Sequence, residues 1–227
     1  MGESYHSVFE FASRKSGASQ SFGNLILSRH PIGAEVSLAS ELEWVAEERK
    51  FFQGNIVARA IESDFGRIHV INVHSPAWPC DRQRLSKISS EGVKLVHNPD
   101  VWCTEILWKL LFDSRHALED SLIVAGDFNS SETFDSWPGG PRGNREIIDR
   151  MNALGLTDAL RSWKGDLVPT FRNSKGGKIV HQLDHMYLSA DLLRRLISCE
   201  TGSAGEVFGR LSDHLPIIAD IDPSPPV

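Results

Sequence analysis

Four consecutive apolar residues, Leu122 to Ala125, stop abruptly at Gly126-Asp127-Phe128-Asn129. A continuous apolar run of this length reads as a strand buried on both faces, which requires other elements packed over each side of the sheet. The chain that contains it is therefore expected to be layered. The change to Gly, Asp and Asn puts polar groups at the strand's end, where α/β proteins commonly place their chemistry. In an extended segment, residues two apart share a face, so Asp127 and Asn129 are expected to point into one site while Phe128 turns to the core. A carboxylate and a carboxamide together are hard oxygen donors of the kind that suit Mg²⁺.

The 227 residues include 24 Lys plus Arg and 30 Asp plus Glu, for a net charge of −6, and 41% are hydrophobic. These are the proportions of a folded globular chain. No repeat, low-complexity tract or linker divides it, so one mixed α/β domain over 1–227 is the expectation. The acidic balance argues against nucleic-acid or membrane binding through bulk basic charge and leaves phosphate recognition to local groups. Cys80, Cys103 and Cys199 lie far apart without a C-x-x-C, which points to neither a disulfide framework nor a thiolate zinc site. No run approaches the roughly 18 apolar residues of a membrane span, and Met1 to Glu10 has no secretory leader pattern. A cytoplasmic monomer is expected.

Local patterns fill in the order of elements. Leu25 to Ser28 is β-rich, and Ile56 to Glu62 followed by Arg67 to His74 reads as a hairpin turning at Asp64-Phe65-Gly66. Asp81 to Glu119 has long side chains with Ile106, Leu107, Leu110 and Leu111 at helical spacing, so it reads as largely helix, interrupted at Asn98-Pro99. A helix over Arg145 to Leu154 and strands over Leu183 to Leu188 and Leu215 to Ile221 complete the pattern.

Four segments place acids, amides and imidazoles at strand ends: Asn72-Val73-His74-Ser75, Gly126-Asp127-Phe128-Asn129, Leu183-Asp184-His185 and Ser212-Asp213-His214-Leu215-Pro216. Asp213 is a further candidate carboxylate ligand. His214 is a candidate acid or base, and Asp184 is the candidate carboxylate that orients it. His74 shares a strand face with Ile68, Val70 and Asn72, so the residues alone leave a core histidine and a site histidine both open. His185 points to the face opposite Asp184 and is expected to be structural. Arg172, Lys175 and Lys178 are candidates for local positive charge.

The order of these segments, with Gly23-Asn24-Leu25-Ile26-Leu27-Ser28-Arg29 before them and Pro169-Thr170-Phe171 between them, resembles the endonuclease/exonuclease/phosphatase superfamily of DNase I-like metal-dependent phosphoesterases. The resemblance runs from about residue 23 to 222. It implies a four-layer α/β sandwich of two packed mixed β-sheets flanked by helices, and hydrolysis of a phosphoester or phosphodiester with Mg²⁺ or Mn²⁺. The substrate it implies is a nucleic acid, a phospholipid head group or an inositol phosphate. Carried over by position, Asp127 and Asn129 are similar to the pair that positions phosphate, water or metal, and Asp213 to a metal-ligating Asp. His214 with Asp184 resembles the pair that activates water. His74 resembles the His that contacts phosphate or protonates the leaving group, with Glu48 as its possible partner.

The chain departs from that pattern at its start. Superfamily members open with a strand carrying an Asn, then a helix, then a second strand ending in Gln-Glu whose Glu ligates metal. The first segment matched here follows that Glu. The expectation is thus a sandwich lacking the usual N-terminal strands, through a start assigned too late or a shortened chain, with an incomplete metal site. Glu10 lacks a preceding buried strand and an adjacent Gln, which makes it a poor replacement. The alternative allowed by the same departure is a catalytically impaired domain that keeps the fold as a binding module.

Overall fold

The computed structural model describes residues 4–13, 19–63, 66–118, 121–136, 143–172, 179–207 and 211–224. The strands are β1 (His6–Ser13), β2 (Ser19–Ser28), β3 (Ile32–Glu35), β4 (Ile56–Ser63), β5 (Gly66–His74), β6 (Ser121–Asp127), β7 (Leu156–Asp158), β8 (Phe171–Arg172), β9 (Ile179–His181), β10 (Asp184–Ser189), β11 (Leu196–Thr201) and β12 (Ile217–Ile221). The helices are α1 (Glu43–Phe51), α2 (Arg82–Leu85), α3 (Cys103–Ser114), α4 (Asn144–Ala153), α5 (Ala159–Lys164), α6 (Ala190–Leu193) and α7 (Ala204–Val207).

A six-stranded mixed sheet in the order β3-β4-β5-β6-β10-β7 forms the centre. Among the described strands only β5 and β6 run parallel, and α2 and α3 lie in the crossover between them. Alternation along the strands divides the side chains between two cores. Ile56, Ala58, Ile71, Val73, Leu122, Val124 and Tyr187 pack with Val45 of α1 and Ile106, Leu107, Leu110 and Leu111 of α3. On the other face Ile68, Val70, Ile123, Met186 and Leu188 pack with Leu196, Cys199, Ile217, Ala219 and Ile221 of the antiparallel β11-β12 ribbon, and with α5 and α6. A second ribbon, β1-β2, joins this side: Asn72 Nδ2 on β5 donates to the Leu25 carbonyl at 3.0 Å. The architecture is the layered mixed α/β fold expected, with the central sheet flanked by helices and these two separate two-stranded ribbons on its other side. Their outward faces expose Phe9, Phe11, Leu25 and Leu27 on one, and Ile197 and Ile218 on the other.

Two local expectations need correction. Asp81 to Glu119 is not largely helical: helix is confined to α2, α3 and one turn of 3₁₀ over Arg115–Ala117. Val93 and Leu95 are buried from irregular backbone, whose polar groups find partners on α4 instead of within a helix. Arg150 Nη1 donates to the Val93 carbonyl at 2.5 Å, and Glu146 Oε2 accepts from the Val96 amide at 2.8 Å. At the N-terminal end, His6–Ser13 forms a strand that the sequence pattern did not mark. Asp64, Phe65, Lys175 and Lys178 lie outside the described residues.

Candidate active site

Strand register brings three of the candidate side chains into one row. His74 at the end of β5 pairs with Asp127 at the end of β6, and Asp127 pairs with Asp184 at the start of β10. Parallel pairing aligns the first two ends, and antiparallel pairing brings the beginning of β10 to the same edge. The three belong to the alternation set of Asn72, Ile123 and Met186, on the ribbon side of the sheet. His214 joins from the segment before β12, where it bridges Phe171, and its Nδ1 stands 2.8 Å from Asp184 Oδ2. Among the described residues, Asp127, Asp184 and His214 can each offer one ligand atom within 4.8 Å of the others.

The close approach of β5 and β6 at this edge depends on Gly126. Its φ is +138°, and a Cβ there would fall 1.9 Å from the Val73 carbonyl oxygen. Asn129 also meets Asp127, but not by strand alternation, because β6 ends at Asp127. The chain turns through Asn129 at φ +47°, a left-handed conformation that Asn tolerates better than most residues. Asp127 closes the turn: Oδ1 accepts from the Asn129 amide at 2.8 Å and Oδ2 from Asn129 Nδ2 at 2.9 Å. Nδ2 also donates to the Ser75 carbonyl at 2.7 Å. With the amide group so engaged, the carboxamide oxygen is what Asn129 has left to offer a cation or a substrate donor. Phe128 is buried between these residues, as the alternation pattern foresaw.

Glu48 does not serve His74 in the way the resemblance suggested. It is buried and held by Arg84 through two contacts of 2.8 Å, Nε to Oε1 and Nη2 to Oε2. The neighbour at His74 is Asn55, whose Nδ2 donates to the His74 carbonyl at 2.9 Å and stands 3.4 Å from Nδ1. A donor at Nδ1 favours the tautomer with hydrogen on Nε2, and that atom lies 4.0 Å from Asp127 Oδ2. Sequence reasoning missed Asn55; its only local signal is the Gly54-Asn55 turn ahead of β4.

Asp213 is exposed and outside the three-residue ligand cluster, although its charge acts on His214. Glu10 is ion-paired to Arg59 at 2.6 Å, on β1, and is likewise outside the cluster. His185 is buried on the opposite face from Asp184.

The electrostatics follow from crowding two carboxylates and two imidazoles at one edge. Burial, and then the negative charge of Asp184, push the Asp127 carboxyl up to about 6. Burial, and then the positive charge of His214, hold His74 below the usual imidazole value. Burial also opposes charge on His214, but the hydrogen bond and charge of Asp184 outweigh it and raise that ring. The paired carboxylates and the Asn129 oxygen form a set of hard donors that a divalent cation would suit, and such an ion would relieve the repulsion between them.

No family model matches the chain, and no curated protein matches it in sequence. Solved structures do match in fold. The 3'-5' exonuclease NExo from Neisseria meningitidis aligns at 19% identity with a TM-score of 0.67, covering 96% of this chain and 80% of that one. An AP endonuclease from Archaeoglobus fulgidus aligns at 18% identity and 0.64, covering 96% and 79%. A single-residue variant of the Neisseria 3' phosphatase NExo, bound to product DNA hairpin, aligns at 18% and 0.65, covering 96% and 79%. The chain thus shares its fold with these nuclease and phosphatase structures.

Proposed function

We propose that this chain is a divalent-metal-dependent phosphoesterase whose substrates are nucleic-acid phosphates. The observation that carries the reading is the single row of His74, Asp127 and Asp184 across three adjacent strands, with His214 held against Asp184. Phosphoester hydrolysis needs a deprotonated water, neutralised phosphate oxygens and a proton for the leaving oxygen.

The residues divide among these tasks. Asp184 fixes His214 through Nδ1, which leaves Nε2 to take the proton from water. His74, with hydrogen on Nε2, is the candidate hydrogen-bond donor to the leaving oxygen; it can give that oxygen a proton only from the imidazolium form, after taking up a second proton from solvent, and neutral imidazole remains. Asp127, Asp184 and the Asn129 oxygen would hold Mg²⁺ or Mn²⁺, which supplies charge neutralisation on the phosphate when bound. Asp213, close enough to act on His214 by its charge, would add a further carboxylate to the metal site. The DNA hairpin bound to the Neisseria 3' phosphatase supports nucleic acid as the substrate class. This reading also has the chain acting as a monomer in the cytoplasm; no described helix is long and apolar enough to cross a membrane.

The test is hydrolysis of bis-p-nitrophenyl phosphate and of an end-labelled DNA hairpin carrying a 3' phosphate. Turnover is expected with Mg²⁺ or Mn²⁺ and is abolished by EDTA. No product from either substrate at any metal concentration would refute the proposal and leave the fold as a binding module.

A further inference from the structure

Behind the row of site residues, on the buried face of the same strands, stands a second acid–imidazole pair. His185 follows Asp184 on β10 and is 4% exposed; Asp158, at the end of β7, is 3% exposed. His185 Nδ1 lies 2.6 Å from Asp158 Oδ2, and Nε2 lies 3.1 Å from the carbonyl oxygen of Ser130. The Ser130 carbonyl can only accept, so Nε2 carries hydrogen and donates to it, while Nδ1 shares a short hydrogen bond with Asp158 and stands 3.4 Å from Gln182 Nε2. Asp158 is fixed in turn: Oδ1 accepts from the Arg161 amide at 3.0 Å and caps α5, and Oδ2 also accepts from Gln182 Nε2 at 2.9 Å.

We propose that His185, braced by Asp158, is a positioning residue that clamps the 128–130 segment from behind and so sets the carboxamide of Asn129 in the active site. Residues on both sides of Asn129 are pinned to this pair. The ring of Phe128 meets the rings of His185 and Tyr187 edge to face, at 5.4 Å each, and its amide donates to the Leu183 carbonyl at 2.9 Å. Ser130, on the other side, takes the His185 hydrogen bond on its carbonyl and donates Oγ to Asn144 Oδ1 at 2.6 Å. Asn129 itself occupies a left-handed conformation, which persists only when its surroundings hold it. Stability alone gives little reason for the pair, because a buried ion pair is often no better than well-packed apolar residues of similar volume.

The inference rests on the phosphoesterase reading for its kinetic consequence, but its geometric claim can be measured without turnover. The side chain introduced by His185→Gln can keep the hydrogen bond to Ser130, whereas that of His185→Asn can reach only toward Asp158. With bis-p-nitrophenyl phosphate and Mn²⁺, His185→Asn is expected to lower kcat about 10- to 100-fold with KM nearly unchanged, and His185→Gln to lose much less. In an Asn129→Gly background, His185→Asn should cost less than about twofold more, since the group it positions is gone. Losses that multiply in the double variant would overturn the clamp.

The second readout is the Asn129 side-chain amide in ¹⁵N NMR spectra, recorded well below each variant's melting temperature. Its hydrogens are expected to be protected from exchange in the wild type and in His185→Gln, and to lose protection in His185→Asn. Unchanged protection in His185→Asn refutes the proposal even if the wild-type chain shows no turnover, a result that would sink the phosphoesterase reading by itself.

Discussion

Asp184 Oδ2 stands 2.8 Å from His214 Nδ1, and this one contact decides which imidazole nitrogen is free to exchange a proton at the site. With Nδ1–H committed to the carboxylate, Nε2 is the reactive atom. His214→Ala is therefore expected to lower kcat by about 10²- to 10⁴-fold, the usual worth of a positioned acid–base group. Asp184→Asn, which can leave the ring in the wrong tautomer, should lose a comparable factor while the fold is retained by circular dichroism. Wild-type rates in either variant would remove the pair from the mechanism.

The turn at Asn129 allows backbone and side-chain roles to be separated. Asn129→Gly relieves the left-handed φ, while Asn129→Ala keeps the strain and should be about 1 kcal/mol less stable than the Gly variant. Both remove the carboxamide and should lose activity equally. A Gly variant that keeps full activity would show that only the turn matters.

Gly126 has no tolerance for a side chain, because the added Cβ would strike the Val73 carbonyl at 1.9 Å where β5 meets β6. Gly126→Ala is expected to cost about 3 kcal/mol or more, and to lower the melting temperature by roughly 6–12 °C. An unchanged thermal transition would contradict the strand spacing described.

The buried carboxylate of Glu48 depends on Arg84. Arg84→Ala leaves that charge unpaired and should destabilise the fold by about 3 kcal/mol or more in urea titrations. Because Asn55, not Glu48, stands at His74, the pH profile of kcat should keep its shape in this variant. A displaced profile would restore Glu48 as a partner of His74.

Glu105 in α3 is fully buried, and burial pushes its carboxyl from 4.5 up to about 7. The folded chain therefore holds a proton that the unfolded chain releases, and this residue costs stability progressively as pH rises from about 4.5 to 7. Glu105→Gln removes that dependence. The melting temperature of the variant relative to wild type should climb between pH 5 and pH 8, by the equivalent of at most about 3 kcal/mol. A difference that is flat with pH would mean Glu105 is ionised in the fold.

The strand ends were the legible part of this chain. Leu122 to Ala125 could only be a covered strand, and the row His74, Asp127, Asp184 follows once each segment is placed at a strand end and the ends are paired. Asn129 illustrates the limit: the pattern put it near Asp127 by alternation, whereas the contact is made by a turn whose φ no sequence periodicity encodes. The stretch between α2 and α3 is not helical because its backbone partners, Glu146 and Arg150, lie far along the chain, and the helical spacing from Ile106 to Leu111 does not reach back over it. The same distance hid the Asp158–His185 pair. Asp158 lies in none of the four segments, and Leu183-Asp184-His185 marks His185 only as structural; the β7–β10 pairing brings the two together.

The parallel pairing of β5 with β6 also bears on when the site can exist. His74 and Asp127 become neighbours only after the whole crossover through α2 and α3 has closed, whereas the β4-β5 hairpin can form from local contacts alone. During refolding the hairpin is free to appear early, and the candidate site edge has to wait for the long-range β5–β6 and β6–β10 pairings of the central sheet. Any hydrolytic competence should therefore return later than the hairpin, and Gly126 sits at one of the junctions that must close before it.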